Sequence, residues 1–142
     1  MGNEVISKSK LYPKLKETGE SARSISKYTI TLSQYIEILM EEKQISKKRL
    51  AIDSNMSEKM VQRIRNEANY APSLQAVVAI CMGLKTSLPE SCLLIDLAGH
   101  RIRPYVYEEA IYLSLLLDGS SHRIEDVNEC LNALNCKLLG SI

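Results

Sequence analysis

The segment Ile45–Asn69, ISKKRLAIDSNMSEKMVQRIRNEAN, constrains the fold more than any other stretch of the chain. It reads as two short helices joined by a tight turn. Ser46 and Ser57 each stand where an N-cap is needed, because a hydroxyl there accepts from an otherwise unpaired backbone N–H. Leu50 and Ala51 face inward in the first helix, and the small Ala51 lets a second helix approach closely. Ser54-Asn55 ends that helix, Asn being the non-Gly residue that most readily takes the left-handed conformation a turn requires. The second helix is read as Ser57–Arg65, with Val61 and Ile64 three apart as its buried stripe. Glu58, Lys59, Gln62, Arg63 and Asn66 fall on its remaining faces.

The flanking sequence is read the same way. Thr31 with Gln34 is a capping box for a helix over Leu32–Lys43, whose Leu32, Tyr35, Ile36, Leu39 and Met40 recur at helical spacing. Pro72 and Ser73 open a helix with Leu74, Val77, Val78 and Cys81 on its apolar stripe, expected to stop at Gly83. Ser87 with Glu90 is a second capping box and Pro89 lies in its first turn; Leu93, Leu94 and Leu97 are its expected buried face, and Gly99 its stop. His100–Ile142 reads as an appended helical pair, Tyr105 or Val106 to Leu117 and Ile124 to Leu134, separated by a turn at Asp118-Gly119-Ser120-Ser121. The second member would gather Ile124, Val127, Cys130, Leu131 and Leu134 on one face. Two short helices cannot bury such faces alone. They must pack on the rest of the chain or on a second subunit, with Leu115–Leu117 as the patch available for the latter.

Met1–Tyr28 is polar and rich in Ser and Lys, and Pro13 and Gly19 are expected to interrupt any helix in it. It is read as a mobile basic arm or linker, with Tyr12 and Leu15 able to rest on the folded body.

The 142 residues suffice for a domain with a real core, and with seven Tyr and no Phe or Trp that core must be aliphatic. A formal net charge of +1 is uninformative, but its distribution is uneven. Across Ser46–Arg65, Lys47, Lys48, Arg49, Lys59, Arg63 and Arg65 face only Asp53 and Glu58; from Thr86 onward acids outnumber bases, eight to four. A local basic patch is what phosphate binding needs, and equally what a solvated charged face looks like. Cys81, Cys92, Cys130 and Cys136 show no zinc-ligand spacing, and Cys81 and Cys92 are read as small hydrophobes on apolar helical faces. No apolar run reaches the roughly 18 residues of a membrane span, and no signal core follows Met1, so a reducing cytoplasm is expected. His100 and His122 have no nucleophile or acid beside them in a convincing arrangement, and there is no phosphate-cradling Gly loop. No enzyme, no metal and no cofactor is expected, and no small-molecule effector is evident.

Ser46, Leu50-Ala51, Asn55-Met56-Ser57, Val61 with Ile64, Pro72-Ser73-Leu74 and Gly83-Leu84 together resemble the lambda-repressor-like (Cro/CI, XRE) helix-turn-helix family. The motif match covers Ile45–Leu84, and with its neighbours the likeness extends over Thr29–Gly99. Asn55 stands where the family usually has a turn Gly, and Glu67 where it usually has Gly after the second helix, putting a carboxylate near the expected phosphates. The resemblance implies an all-α fold: a five-helix DNA-binding domain at 29–99, preceded by the arm at 1–28 and followed by the helical extension at 100–142.

It also implies a chemistry. A helix-turn-helix presents its second helix to the major groove of double-stranded DNA. Glu58, Lys59, Gln62 and Arg63 match groove-facing positions: Arg63 and Lys59 suit guanine O6 and N7, Gln62 suits adenine, and Glu58 can accept from cytosine N4. Lys47, Asn66, Asn69 and Tyr70 match phosphate-contacting positions, and the helix start at Ser57 offers free N–H groups. Met60 is read as packing rather than touching a thymine methyl. The expectation is a sequence-specific transcriptional regulator, a repressor of bacterial or phage type associated with the nucleoid. It would act as a homodimer whose two reading helices lie about 34 Å apart on a pseudo-palindromic site. The rival is a protein-interaction or antitoxin-like adaptor on the same fold. A third possibility makes the basic arm the main nucleic-acid contact.

Overall fold

The computed structural model describes residues 10–25, 30–67, 69–118 and 122–140. The described residues form eight helices and no strand. They are α1 (Leu11–Ile25), α2 (Leu32–Lys43), α3 (Lys47–Asp53), α4 (Glu58–Asn66), α5 (Leu74–Leu84), α6 (Leu88–Leu97), α7 (Tyr107–Asp118) and α8 (Ile124–Ala133).

Local capping chemistry sets most of the helix starts. Thr31, Ser46, Ser57, Ser73 and Ser87 each accept from the backbone N–H three residues on, and Thr31 and Ser87 complete reciprocal capping boxes with Gln34 and Glu90. Each such cap contributes about 1 kcal/mol. Asn55 takes the left-handed conformation between α3 and α4, with φ 55°, as the turn requires.

Helix α5 lies at the centre, with every residue from Ala76 to Leu84 buried. It packs against α2, α3, α6 and α7. The core is aliphatic around two tyrosines, Tyr35 and Tyr112. Gly83 does not stop α5. The helix runs on to Leu84, and Lys85 takes the left-handed cap position with φ 54°. Gly83 is instead a contact point: a Cβ there would lie 2.8 Å from Leu50 Cδ1 and 3.2 Å from Ser54 Cβ, so the missing side chain lets α3 and α5 approach.

The N-terminal arm differs from the expectation, although residues 1–9 and 26–28 of it lie outside the described residues. Pro13 and Gly19 do not prevent a helix over Leu11–Ile25. Pro13 sits in the first turn, where its missing N–H has no intrahelical partner in any case, and Gly19 costs only about 1 kcal/mol within a helix. Helix α1 packs along α6, with Ser21 Oγ 2.8 Å from Ser87 Oγ, yet it buries none of its residues. Leu11, Tyr12 and Leu15 stay exposed.

The C-terminal pair packs on its own chain. Tyr112 of α7 is fully buried; its hydroxyl donates to the Lys137 carbonyl (2.7 Å) and accepts from Gln75 Nε2 of α5 (3.4 Å). Beyond α8 the chain folds back. Asn128 accepts from the Leu139 N–H (2.7 Å) and donates to the Leu139 carbonyl (3.1 Å), and Leu139 is wholly buried. Of the patch at Leu115–Leu117, Leu116 is buried and Leu117 exposed. Cys130 and Leu134 are exposed rather than inward, because the buried stripe of α8 is the narrower set Ile124, Val127 and Leu131. On α6 the most buried residues are Ser91, Leu94 and Ile95, while Leu93 and Leu97 are only partly covered and Cys92 is exposed. The expected turn at Gly119–Ser121 lies outside the described residues.

Candidate nucleic-acid interface

Val61 and Ile64 anchor α4 against α2 and α3. That burial fixes the helix rotation and turns the polar row outward. Lys47, Glu58, Lys59, Gln62, Arg63, Asn66 and Glu67 line one shallow groove. Arg63, Glu67, Asn69, Tyr70 and Ala71 line an adjoining depression, so the two share Arg63 and Glu67. Of the nine residues singled out in the sequence, eight therefore lie on one continuous surface. The ninth, Ser57, forms the N-cap at its edge, accepting from the Met60 N–H at 3.0 Å. Lys47 reaches the groove from the first turn of α3.

Electrostatically the surface is weaker than the local sequence count. Arg49 pairs with Asp53 (3.0 Å), Arg63 with Glu67 (3.1 Å), and Arg65 with Glu37 of α2 (2.8 Å). Glu37 and Glu67 lie outside the Ser46–Arg65 stretch, so the sequence balance omits them. Arg65 turns toward α2 as a packing residue, with only a fifth of its side chain exposed.

Tyr70 has a structural part that the sequence does not reveal. Its ring lies under the Arg63 guanidinium, 4.3 Å from ring centre to Cζ, and its hydroxyl donates to Met60 Sδ at 3.5 Å. Met60 accordingly packs, partly buried, against Tyr70. The loop holding Tyr70 is itself fixed by two backbone bonds, Glu67 N–H to the Arg63 carbonyl (2.9 Å) and Tyr70 N–H to the Glu67 carbonyl (3.0 Å).

Among the described residues, the C-terminal part leaves the groove open. Leu139 and Gly140 meet Ser54 and Asn55 at the turn, whereas Glu58, Lys59, Arg63 and Asn66 remain exposed. His100 and His122 are otherwise engaged, the first 2.7 Å from the Pro72 carbonyl and the second 2.8 Å from Asp118.

Two capped helices joined at a left-handed residue, the second buried along one stripe and polar outward, define a helix-turn-helix domain. Residues 35–90 match the family model of the Cro/C1-type HTH DNA-binding domain, the lambda-repressor-like family that the sequence resembles. The match runs from α2 into the first turn of α6; α1, α7 and α8 lie outside it. No curated protein and no solved structure matches the chain. No helix among the described residues is long and apolar enough to cross a membrane.

Proposed function

We propose that the chain binds double-stranded DNA in a sequence-dependent manner through α4, and acts in the cytoplasm as a transcriptional regulator of the repressor type. In this reading residues 29–99 are the DNA-binding unit, residues 100–142 brace it, and Glu58, Lys59, Gln62 and Arg63 read base edges. Lys47, Asn66, Asn69, Tyr70 and the α4 N-terminus at Ser57 hold the phosphate backbone. The observation that carries the reading is the rotation of α4. With Val61 and Ile64 buried, the long polar side chains share one exposed surface with Lys47. A helix of this length reads only a few base pairs, so we infer a two-fold dimer on a pseudo-palindromic site. The C-terminal pair packs on its own chain through Tyr112, Leu116, Ile124, Val127 and Leu131 but leaves Leu117 and Leu134 exposed, so part of its apolar surface is open to the dimer.

The ion pairs Arg63–Glu67 and Arg65–Glu37 lower the positive field and favour the second reading, a protein-interaction or adaptor module on the same fold. A gel shift against genomic fragments at two salt concentrations separates the two. DNA binding weakens steeply as salt rises, because neutralised phosphates release counterions. No retarded fragment at low salt would leave the adaptor reading.

A further inference from the structure

We propose that Glu67 and Tyr70 are positioning residues that fix the guanidinium of Arg63 for guanine recognition, and so set the specificity of one base pair. The inference rests on the reading of α4 as the helix that enters the groove. An arginine can pair with guanine O6 and N7 side-on, through Nε and one Nη, or end-on, through both Nη atoms. Glu67 Oε2 takes the Nε proton of Arg63 at 3.1 Å, which closes the side-on mode. The Tyr70 ring covers one face of the guanidinium at 4.3 Å. Among the described residues the two Nη groups have no partner, so the end-on pair of donors is left to a ligand.

The holding residues are themselves held. Glu67 lies one helical turn beyond Arg63, and the Tyr70 hydroxyl is tied to Met60. An exposed ion pair of this kind adds little to stability. Its effect lies in orientation, since an arginine already fixed in its binding geometry loses less freedom on association. Glu67 thereby acquires a use that its charge alone would not predict. A bare carboxylate near phosphates only repels them, whereas a carboxylate on Nε aims the cation.

The test is selection of bound fragments from random DNA by the full-length protein, followed by binding titrations on the selected site and its single-base variants. Arg63→Ala should reduce discrimination at one guanine by roughly tenfold or more. Glu67→Ala and Tyr70→Leu should reduce it at that same base pair, by roughly two- to fivefold. Tyr70→Phe, which keeps the ring, should retain most of it. Glu67→Ala should at the same time bind random DNA more tightly, because a negative charge is gone. If Glu67→Ala strengthens binding to every sequence alike and leaves the base preference intact, the positioning role is overturned while sequence reading stands. If the wild-type protein enriches no sequence at all, both fall. Helicity and melting curves of Glu67→Ala and Tyr70→Leu matching wild type exclude misfolding as the cause of lost preference.

Discussion

The side-chain amide of Asn55 donates to the carbonyl of Leu139 at 3.2 Å, joining the turn of the helix-turn-helix to a segment 84 residues further along the chain. The same carbonyl accepts from Asn128. Gly140 follows with φ 93°, and a Cβ there would lie 2.5 Å from the Asn55 carbonyl oxygen and 2.7 Å from that of Ser54. Asn55 therefore does more than tolerate a left-handed conformation. Where a glycine would only make the turn, the asparagine also fastens the C-terminal extension to it.

Asn128→Ala removes two hydrogen bonds to Leu139 and is expected to destabilise the protein by about 1–3 kcal/mol. Gly140→Ala should cost a similar amount, about 1–3 kcal/mol, through its positive φ and the close carbonyls. Urea unfolding reads both, and an unchanged midpoint in both variants would mean that the extension does not brace the turn.

Gly83→Ala should destabilise by about 1–3 kcal/mol through overpacking at the α3–α5 contact. Leu50→Ala in the same background should relieve that clash, making the double variant less unstable than the sum of the two single ones. Simple additivity in a thermal-unfolding cycle would place the strain elsewhere.

Acid should weaken the link ahead of α7. The Arg103 guanidinium, and then the Arg103 backbone N–H at 2.9 Å, hold the Glu109 carboxyl below its ordinary value of 4.5. Since the folded value lies below the unfolded one, this contribution is complete above pH 4.5 and disappears as the pH falls through the folded value. The stability difference between wild type and Glu109→Gln, measured by urea titration from neutral pH downward, should shrink over that range. A difference independent of pH would rule out the ion pair as its source.

The cysteines should separate by reactivity, because the thiolate is the nucleophile. Burial pushes the Cys81 thiol up to about 12, despite hydrogen bonds from Ser91 and Thr86. Cys92 and Cys130 are exposed, although partial burial raises the Cys92 thiol as well. Iodoacetamide labelling followed by peptide mass spectrometry should find Cys130 first, then Cys92, with Cys81 modified only on unfolding. Early labelling of Cys81 would indicate opening between α5 and α6.

What the sequence reveals here is what local chemistry decides. The caps at Thr31, Ser46, Ser57, Ser73 and Ser87 need only their own next few residues, and the left-handed Asn55 needs only its turn. The stripe Val61–Ile64 then sets which residues of α4 face out. Distant contacts decide the remainder. Gly83 looks like a stop until α3 is placed against it, and Lys85 makes the stop instead. Arg65 counts as groove charge until α2 brings up Glu37. The hydrophobicity of Cys92 and Cys130 predicts burial, but each falls just outside the covered part of its helix. Nothing periodic marks Leu139 as a core residue, since its burial comes from a fold-back held by two asparagines.

Helix α1 contributes no buried residue, and a hydroxyl pair ties it to α6. Such an element opens at far lower free energy than the body it lies on. Its amides should exchange with deuterium early, on a separate clock from those of α5. Where this helix opens locally it carries Lys14 and Lys16 with it, so its deuterium uptake would also report a displacement of positive charge.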